Sequence, residues 1–372
     1  MFPDFAVMTP IAAKKSGFVL SLVSPSPTPC GVEMFARGLA RAASELGLES
    51  RSLAVAGRWG DVPALWRALG DAGALVVNLP VVAWKRALLT PLLALSIARL
   101  RSARTVVVLH EWADLHPLRR ALASVYLLLA QVVLFSSPTV REEFLSSPVG
   151  RLPFALALAP IPPNIAPPNA RLQTPAVARI ETERAKGSLV LGHFGSIYPK
   201  KRSTFVLDVA HAVQAMNRRV FVVFIGGFVK ASDDVEARFF ARARELGLEA
   251  SIMVSGYIES DAEIFALFDA VDVFVYSFSE GLTSRRGSVL TCLESGRPVV
   301  VNAPKRQSEF DHHPAFRRLI AQGALRFVST DAAPADYALA IDSIGVEPRA
   351  VAPEVFVPAW RDAASALRAA LR

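Results

Sequence analysis

The densest run of side chains able to do chemistry is Ser279-Glu280-Gly281-Leu282-Thr283-Ser284-Arg285-Arg286-Gly287-Ser288. It follows a β-rich run, Val271 to Tyr276, and leads into a helical pattern ending near Gly296. Two adjacent guanidinium groups can neutralise a pyrophosphate. Gly287 and Ser288 at a helix start can offer it backbone N–H groups and a hydroxyl. Glu280, earlier on the same loop, can hydrogen-bond hydroxyls of a sugar attached to that pyrophosphate. A surface loop of salt bridges is the competing explanation. A second cationic run, Lys200-Lys201-Arg202, stands between a strand that exits through Gly195 and a helix that begins near Ser203. It suits a diphosphate by point charge and by bidentate contact; a solvated charge run is its plain alternative. In the first half a strand ends in His110-Glu111-Trp112, at the carboxyl edge where open α/β sheets hold their ligands. For His110 the structural alternative is capping of the strand end. The first strand ends in Ser24-Pro25-Ser26-Pro27-Thr28-Pro29-Cys30-Gly31, and Gly31 opens a helix whose apolar face is Val32, Phe35, Ala36, Leu39, Ala43 and Leu46, with Gly47 as its stop. A glycine there lets phosphate approach helix amides, although a simple turn residue is the commoner reason for one. No G-x-G-x-x-G follows, which counts against a dinucleotide oxidoreductase.

The elements that must position these groups are legible as alternating β-rich and helical runs, the pattern of parallel-sheet α/β architecture. Strands are predicted over Gly17 to Val23, Ser52 to Val55, Ala74 to Leu79, Thr105 to His110 and Val132 to Ser136 in the first half. In the second they are Leu189 to Phe194, Val220 to Ile225, Ser251 to Ser255, Val271 to Tyr276, Pro298 to Val301 and Ala324 to Val328. Two separate sheets follow. Between them, Leu152 to Pro175 holds Pro153, Pro160, Pro162, Pro163, Pro167 and Pro168, a density that forbids continuous helix and central strand alike and reads as a linker. The apolar run Ala121 to Phe135 is too short to span a membrane and reads as a buried helix running into a strand. Trp360 to Arg372 reads as a terminal amphipathic helix.

The 372 residues suffice for two domains with separate cores. The formal charge of +8 lies wholly in the first half, where residues 1–180 carry 18 Lys/Arg against 10 Asp/Glu; residues 181–372 carry 23 against 23. No acidic residue occurs between Asp71 and Glu111, while Lys85, Arg86, Arg99, Arg101 and Arg104 do. Such a face would attract anionic lipid headgroups or a pyrophosphate-bearing acceptor; general solubility is the bland reading. The start of the chain lacks the charge and apolar pattern of a signal peptide, so the cytoplasm is the expected compartment. Cys30 and Cys292 are far apart with no Cys/His cluster, which suggests neither a disulfide framework nor a zinc site.

In this order the segments resemble the glycosyltransferase 4-like (group 1) enzymes of the GT-B fold, over most of the chain and in most detail in its second half. Gly31-Val32-Glu33-Met34-Phe35-Ala36 is similar to that family's donor-facing loop and first helix, and Ile161-Pro162-Pro163-Asn164-Ile165 to its Pro-Asn turn. Gly195 to Lys201 is similar to its G-x-x-x-x-x-K phosphate element. Ser255-Gly256-Tyr257-Ile258, Asp272-Val273-Phe274-Val275 and Gly296-Arg297-Pro298-Val299-Val300 resemble landmarks of its nucleotide domain. One departure matters. The family's loop commonly has two glutamates separated by seven residues, whereas Glu280 has Ser288 at the second position, or Thr291 when counted back from Gly296. The carboxylate that commonly contacts the donor ribose is absent. The stretch is similar instead to a branch with an acidic residue and Gly, followed by Arg-Arg-Gly-Ser/Thr.

The resemblance implies an α/β chain with two Rossmann-like parallel-sheet domains facing each other across a cleft. The acceptor-side domain would span 1–165, a linker 166–185 and the nucleotide-sugar-binding domain 186–354, with a C-terminal helix over 355–372 able to pack back on the first domain. It implies a retaining transfer from a nucleotide-sugar donor to a glycan or lipid-linked acceptor, in surface polysaccharide or glycoconjugate synthesis, without a metal ion or separate cofactor. His110, Lys201, Glu280 and Arg286 would be catalytic; Gly31, Gly195, Ser196, Arg202, Gly227, Arg285, Gly287 and Ser288 would bind the donor. Charge developing on the departing β-phosphate would be met by side chains and amides. The basic first half would bring the protein to the inner face of an anionic membrane. Nucleic acid is not an expected partner, because no recognised binding motif is present. Two rivals stay open: a non-catalytic nucleotide-sugar-binding partner subunit, for which the missing second glutamate argues, and a sugar-nucleotide epimerase, for which His110, Glu111 and Glu280 are the evident candidates.

Overall fold

The computed structural model describes residues 17–26, 30–81, 84, 89–163, 165–197, 202–228, 234–344 and 355–372. Its first half alternates β1 (Phe18–Val23), α1 (Gly31–Glu45), β2 (Ser50–Ala54), α2 (Val62–Ala68), β3 (Ala72–Leu79), α3 (Leu89–Leu100), β4 (Arg104–Leu109), α4 (Pro117–Leu128), β5 (Val132–Phe135), α5 (Pro138–Leu145) and β6 (Ala155–Leu158). The second runs α6 (Pro175–Ala185), β7 (Leu189–Phe194), α7 (Ser203–Ala215), β8 (Val220–Ile225), α8 (Val235–Glu245), β9 (Ile252–Val254), α9 (Asp261–Asp269), β10 (Val273–Tyr276), α10 (Gly287–Glu294), β11 (Val299–Asn302), α11 (Pro314–Ala321), β12 (Leu325–Val328), α12 (Pro334–Asp342) and α13 (Phe356–Ala370). These strands form two six-stranded parallel sheets, ordered β2-β1-β3-β4-β5-β6 and β12-β11-β10-β7-β8-β9.

The described residues divide into two compact units. Unit 1 comprises those up to Leu134 with Ser147–Ala157 and Leu367–Arg372; unit 2 comprises Phe135–Ser146 and Leu158–Ala366. In unit 2 the sheet is buried on both faces. Along β8, Phe221, Val223 and Ile225 enter a core with α6, α9 and α10, while Val220, Val222 and Phe224 enter another with α7, α8 and α12. Burial on both sides is why this strand reads Val-Phe-Val-Val-Phe-Ile instead of alternating with polar residues.

All eleven strands predicted from sequence occur within two residues of their expected bounds. The twelfth, β6, falls inside the proline-rich stretch read as linker. It is an edge strand between Pro153 and Pro160, bonded on one side only through Ala155 N–H to the Gln131 carbonyl (3.4 Å) and Ala159 N–H to that of Phe135 (2.9 Å). Proline excludes a central strand far more strongly than an edge one. Residues 175–185, also within the expected linker, form α6, whose Val177 and Ile180 are buried in unit 2.

The helix expected to be buried ahead of β5 is so on one face only. Ala123, Tyr126 and Leu127 of α4 are buried, whereas Leu118, Val125 and Leu128 are exposed. Helix α1 differs in a smaller way: its buried face includes Glu33 beside Phe35, Ala36, Leu39 and Ala43. Among the described residues no helix is long and apolar enough to cross a membrane.

Candidate functional site

In the second sheet the chain runs from β7 outward to β8 and β9, then returns to β10 on the other side of β7. The strand order therefore reverses between β7 and β10, and ligands of open α/β sheets bind beyond the carboxyl ends of strands at such a point. The loops that leave β7 and β10 there are the two singled out by sequence.

The β10 loop is built from its fixed ends inward. Asn302, buried at the end of β11, accepts from the Phe278 N–H (3.0 Å) and donates to the Phe278 carbonyl (2.7 Å), while Leu282 N–H bonds to the Asn302 carbonyl (3.1 Å). Gly281 has φ +76°, and a Cβ on it would lie 2.2 Å from the Ala303 carbonyl oxygen, so the chain passes where only glycine fits. Further on, the buried Glu309 accepts from the Ser284 N–H (2.8 Å), the Ser284 hydroxyl (2.9 Å) and the Thr139 hydroxyl (2.8 Å). Glu309 belongs to the short turn Gln307–Phe310, which is also tied to α5 by an Arg306–Glu142 ion pair. Sequence reading missed Asn302 and Glu309.

Between these anchors the loop brings Glu280, Arg285 and Arg286 together. Glu280 pairs with Arg286 and, at 3.2 Å, with Arg285; it accepts from the Ser279 hydroxyl at 2.9 Å. The Arg286 guanidinium also lies 4.4 Å from the centre of the Phe278 ring. Burial opposes ionisation of Glu280, but the charges of Arg286 and Arg285 and the Ser279 bond outweigh it and hold its carboxyl at about 2. One carboxylate against two guanidiniums leaves an excess positive charge just before α10. The Gly287 N–H turns back to the Arg285 carbonyl (3.1 Å), and Ser288 follows it in the first turn of the helix. Thr291 donates to the Gly287 carbonyl (2.9 Å).

The β7 loop runs beside the loop after β8. Gly195 N–H bonds to the Ile225 carbonyl (2.9 Å) and Ile197 N–H to that of Gly227 (2.9 Å), with Ser196 between them. Gly226, at φ +144°, lies so close that a Cβ would stand 2.4 Å from the Gly195 oxygen. Gly195 and Gly227 are thus brought together. Arg202 precedes α7 in the left-handed region (φ +47°), with its guanidinium over Phe205 at 4.6 Å. Lys201, with Lys200, lies outside the described residues.

The sites expected in the first half lie in unit 1. His110 is buried just past β4; its Nε2 is 3.0 Å from Asn78 Oδ1, and its ring meets Phe35 of α1 edge-on at 5.0 Å. Gly31 starts α1 with open space where a Cβ would go, so close packing does not require glycine there. The unpredicted group is Glu33, which accepts from the Ser24 N–H (2.8 Å) and hydroxyl (2.8 Å) and from Arg37 (3.2 Å). This carboxyl fastens the end of β1 to the first turn of α1. Among the described residues no group of three or more His, Cys, Asp or Glu side chains is placed to hold a metal ion.

Residues 188–342 match the family described as Glycosyl transferases group 1, a span within unit 2. No curated protein sequence matches the chain. Among solved structures, Anabaena Alr3699/HepE in complex with UDP is similar at TM-score 0.60 and 14% identity over 94% of each chain. OtsA in its apo form is similar at TM-score 0.61 and 12% identity, over 95% of this chain and 96% of that one. A glycosyltransferase from Rickettsia africae ESF-5 is similar at TM-score 0.57 and 12% identity, over 96% of this chain and 93% of that one. At such identities the likeness establishes the fold, which is the two-domain Rossmann-like fold of GT-B glycosyltransferases.

Proposed function

We propose, from the group 1 glycosyltransferase domain that residues 188–342 form and the GT-B fold of the whole, that this chain transfers a sugar from a nucleotide-sugar donor with retention of configuration. The observation that carries the reading is the Glu280–Arg285–Arg286 cluster at the β7/β10 switch point, directly before α10. A donor pyrophosphate there meets the excess guanidinium charge and the positive end of a helix. As the bond from the anomeric carbon to oxygen breaks, negative charge grows on the β-phosphate. Arg286, with Arg202 and Lys201 from the neighbouring loop, would stabilise it without a metal ion. Loss of one such donor costs about 10²–10³ in turnover. Glu280 has two roles in this reading: it orients the guanidiniums and accepts hydrogen bonds from the donor sugar. Gly31, Gly195, Ser196, Gly227, Arg285, Gly287 and Ser288 complete the donor contacts, and His110, steadied by Asn78, is the proposed catalytic group of unit 1. The acceptor in this reading is a glycan or lipid-linked carrier in surface polysaccharide or glycoconjugate synthesis, met in the cytoplasm or at the inner face of the membrane.

A non-catalytic nucleotide-sugar-binding subunit is the second reading. It is favoured by the missing second glutamate: Ser288 or Thr291 stands at that position, and the Thr291 hydroxyl donates to the Gly287 carbonyl.

Thermal unfolding against a panel of nucleoside diphosphates and nucleotide-sugars, with and without EDTA, tests donor binding. Uracil nucleotides come first, because HepE is solved with UDP and with UDP-glucose. One nucleotide series is expected to stabilise the wild type, by ~2.7 kcal/mol at 100 times its dissociation constant. EDTA should not change the response, and Arg286→Ala and Lys201→Ala should abolish it. Indifference to every nucleotide would contradict the donor site.

A further inference from the structure

Unit 1 turns outward a face that donor chemistry does not use. The connections β2-α2-β3, β3-α3-β4 and β4-α4-β5 all cross the first sheet in the same direction, so right-handed crossovers put α2, α3 and α4 on one side of it. There α2 packs on α3, and α3 on α4. The outer side of α4 carries Leu118, Ala121, Leu122, Val125, Leu128 and Leu129, three and four residues apart; Leu118 is 76%, Val125 43% and Leu128 60% exposed. A helix with one buried face ordinarily presents polar residues on this side. The other two helices of the layer also expose large apolar side chains. Leu100 at the end of α3 is 76% exposed, and Trp66 of α2 is 45% exposed with the Arg101 guanidinium 4.0 Å above its ring. Beside α4 lies an open groove of ≈ 340 Å³, lined by Pro117, Ala121, Pro148 and Val149 together with Arg120, Ser124 and Ser147. Exposed large apolar side chains gathered on one helical layer mark a surface that is covered in use.

Charge selects what covers it. Helices α2, α3 and α4 contain Arg67, Arg99, Arg119 and Arg120 and no Asp or Glu. A second copy docked about a two-fold axis would set arginines against arginines. An anionic bilayer surface satisfies both halves of the face, with acyl chains for the leucines and headgroup phosphates for the arginines. We propose that the outer face of α2, α3 and α4 docks on an anionic membrane, with the α4 stripe entering the boundary between headgroups and acyl chains and the arginines of the three helices meeting headgroup phosphates. The contact is independent of the donor site: a chain that bound no nucleotide would still partition to such a membrane.

Co-sedimentation of the full chain with vesicles tests this, using phosphatidylcholine alone and phosphatidylcholine with phosphatidylglycerol. The wild type is expected to pellet with the anionic vesicles and to bind less in high salt, because the screening length falls from about 10 Å at 0.1 M to about 3 Å at 1 M. The double variants V125E/L128E and R99E/R119E are expected to lose roughly tenfold or more in partition while keeping the wild-type melting temperature, since all four side chains face solvent. The proposal is overturned if the wild type stays in the supernatant with anionic vesicles, or if the variants fold and partition as it does. A wild type that ignores vesicles but runs as a dimer, made monomeric by V125E/L128E, overturns it in favour of self-association. Nucleotide-induced stabilisation, measured on the same preparations, separates failure of this surface from failure of the donor site.

Discussion

Glu280 sets the electrostatic state of the β10 loop. Its carboxyl is held at about 2 because Arg286 and Arg285 outweigh the effect of burial. With the folded value below the ordinary one, the ionised cluster stabilises the protein above the ordinary carboxyl range and loses that contribution as pH falls toward 2. The unfolding free-energy difference between wild type and Glu280→Gln should therefore be level from pH 5 to 8. Below about pH 4 it should shrink by on the order of 3 kcal/mol at most, less what solvent screening removes from a carboxyl that is 25% exposed. Denaturant melts at a series of pH values measure it, and a difference unchanged at pH 2.5 would contradict the pairing. Glu280, Arg285 and Arg286 were legible in the sequence because they lie within seven residues of one another on one loop. Glu33 was not: its position reads as a solvent-facing helix residue, and only the returning Ser24 shows why a carboxyl is buried there.

At the level of elements, the β10 loop owes its shape to groups far away in the chain. Glu309 reaches Ser284 across 25 residues and Thr139 across 170, so no local spacing could point to it. The one available hint was an acidic residue in the turn after β11, a weak signal in a stretch that also holds Lys305, Arg306 and Asp311. Glu309→Ala should leave the buried N–H and hydroxyl of Ser284 without their acceptor, at ~1–3 kcal/mol for each donor left unsatisfied, and free the half-buried hydroxyl of Thr139. We expect a lower melting temperature together with weaker nucleotide binding, and partial recovery in Glu309→Gln, which keeps an acceptor oxygen. Wild-type stability and binding in the alanine variant would exclude the positioning role. The strands were legible because apolar runs bounded by turns suffice to mark them. Of the three elements misjudged, β6 and α4 share one cause, since both depend on which side of a segment has neighbours. Edge position lets β6 survive among prolines, and among the described residues no outer layer covers the exposed half of α4.

For the whole molecule, alternation of strand and helix was enough to indicate two parallel sheets, and the order of motifs to indicate the GT-B fold. The charge asymmetry was equally plain, but composition could not say where on unit 1 the arginines gather. That needed the shared direction of three crossovers, which puts the helices carrying Arg67, Arg99 and Arg119 on one side of the sheet. Unit 2 carries the family match and the arginine-glutamate cluster; unit 1 carries His110 and the outward apolar face. The central claim is that this chain consumes a nucleotide-sugar by way of the β10 loop. The most direct measurement is release of nucleoside diphosphate from a panel of nucleotide-sugars, with a lipid extract as acceptor, by wild type and Arg286→Ala, with donor binding followed in the same samples. The account predicts release from one donor series by the wild type and a fall of about 10²–10³ in turnover for the variant. A wild type that binds a nucleotide-sugar and never consumes it would contradict the transferase reading and leave a binding subunit in its place.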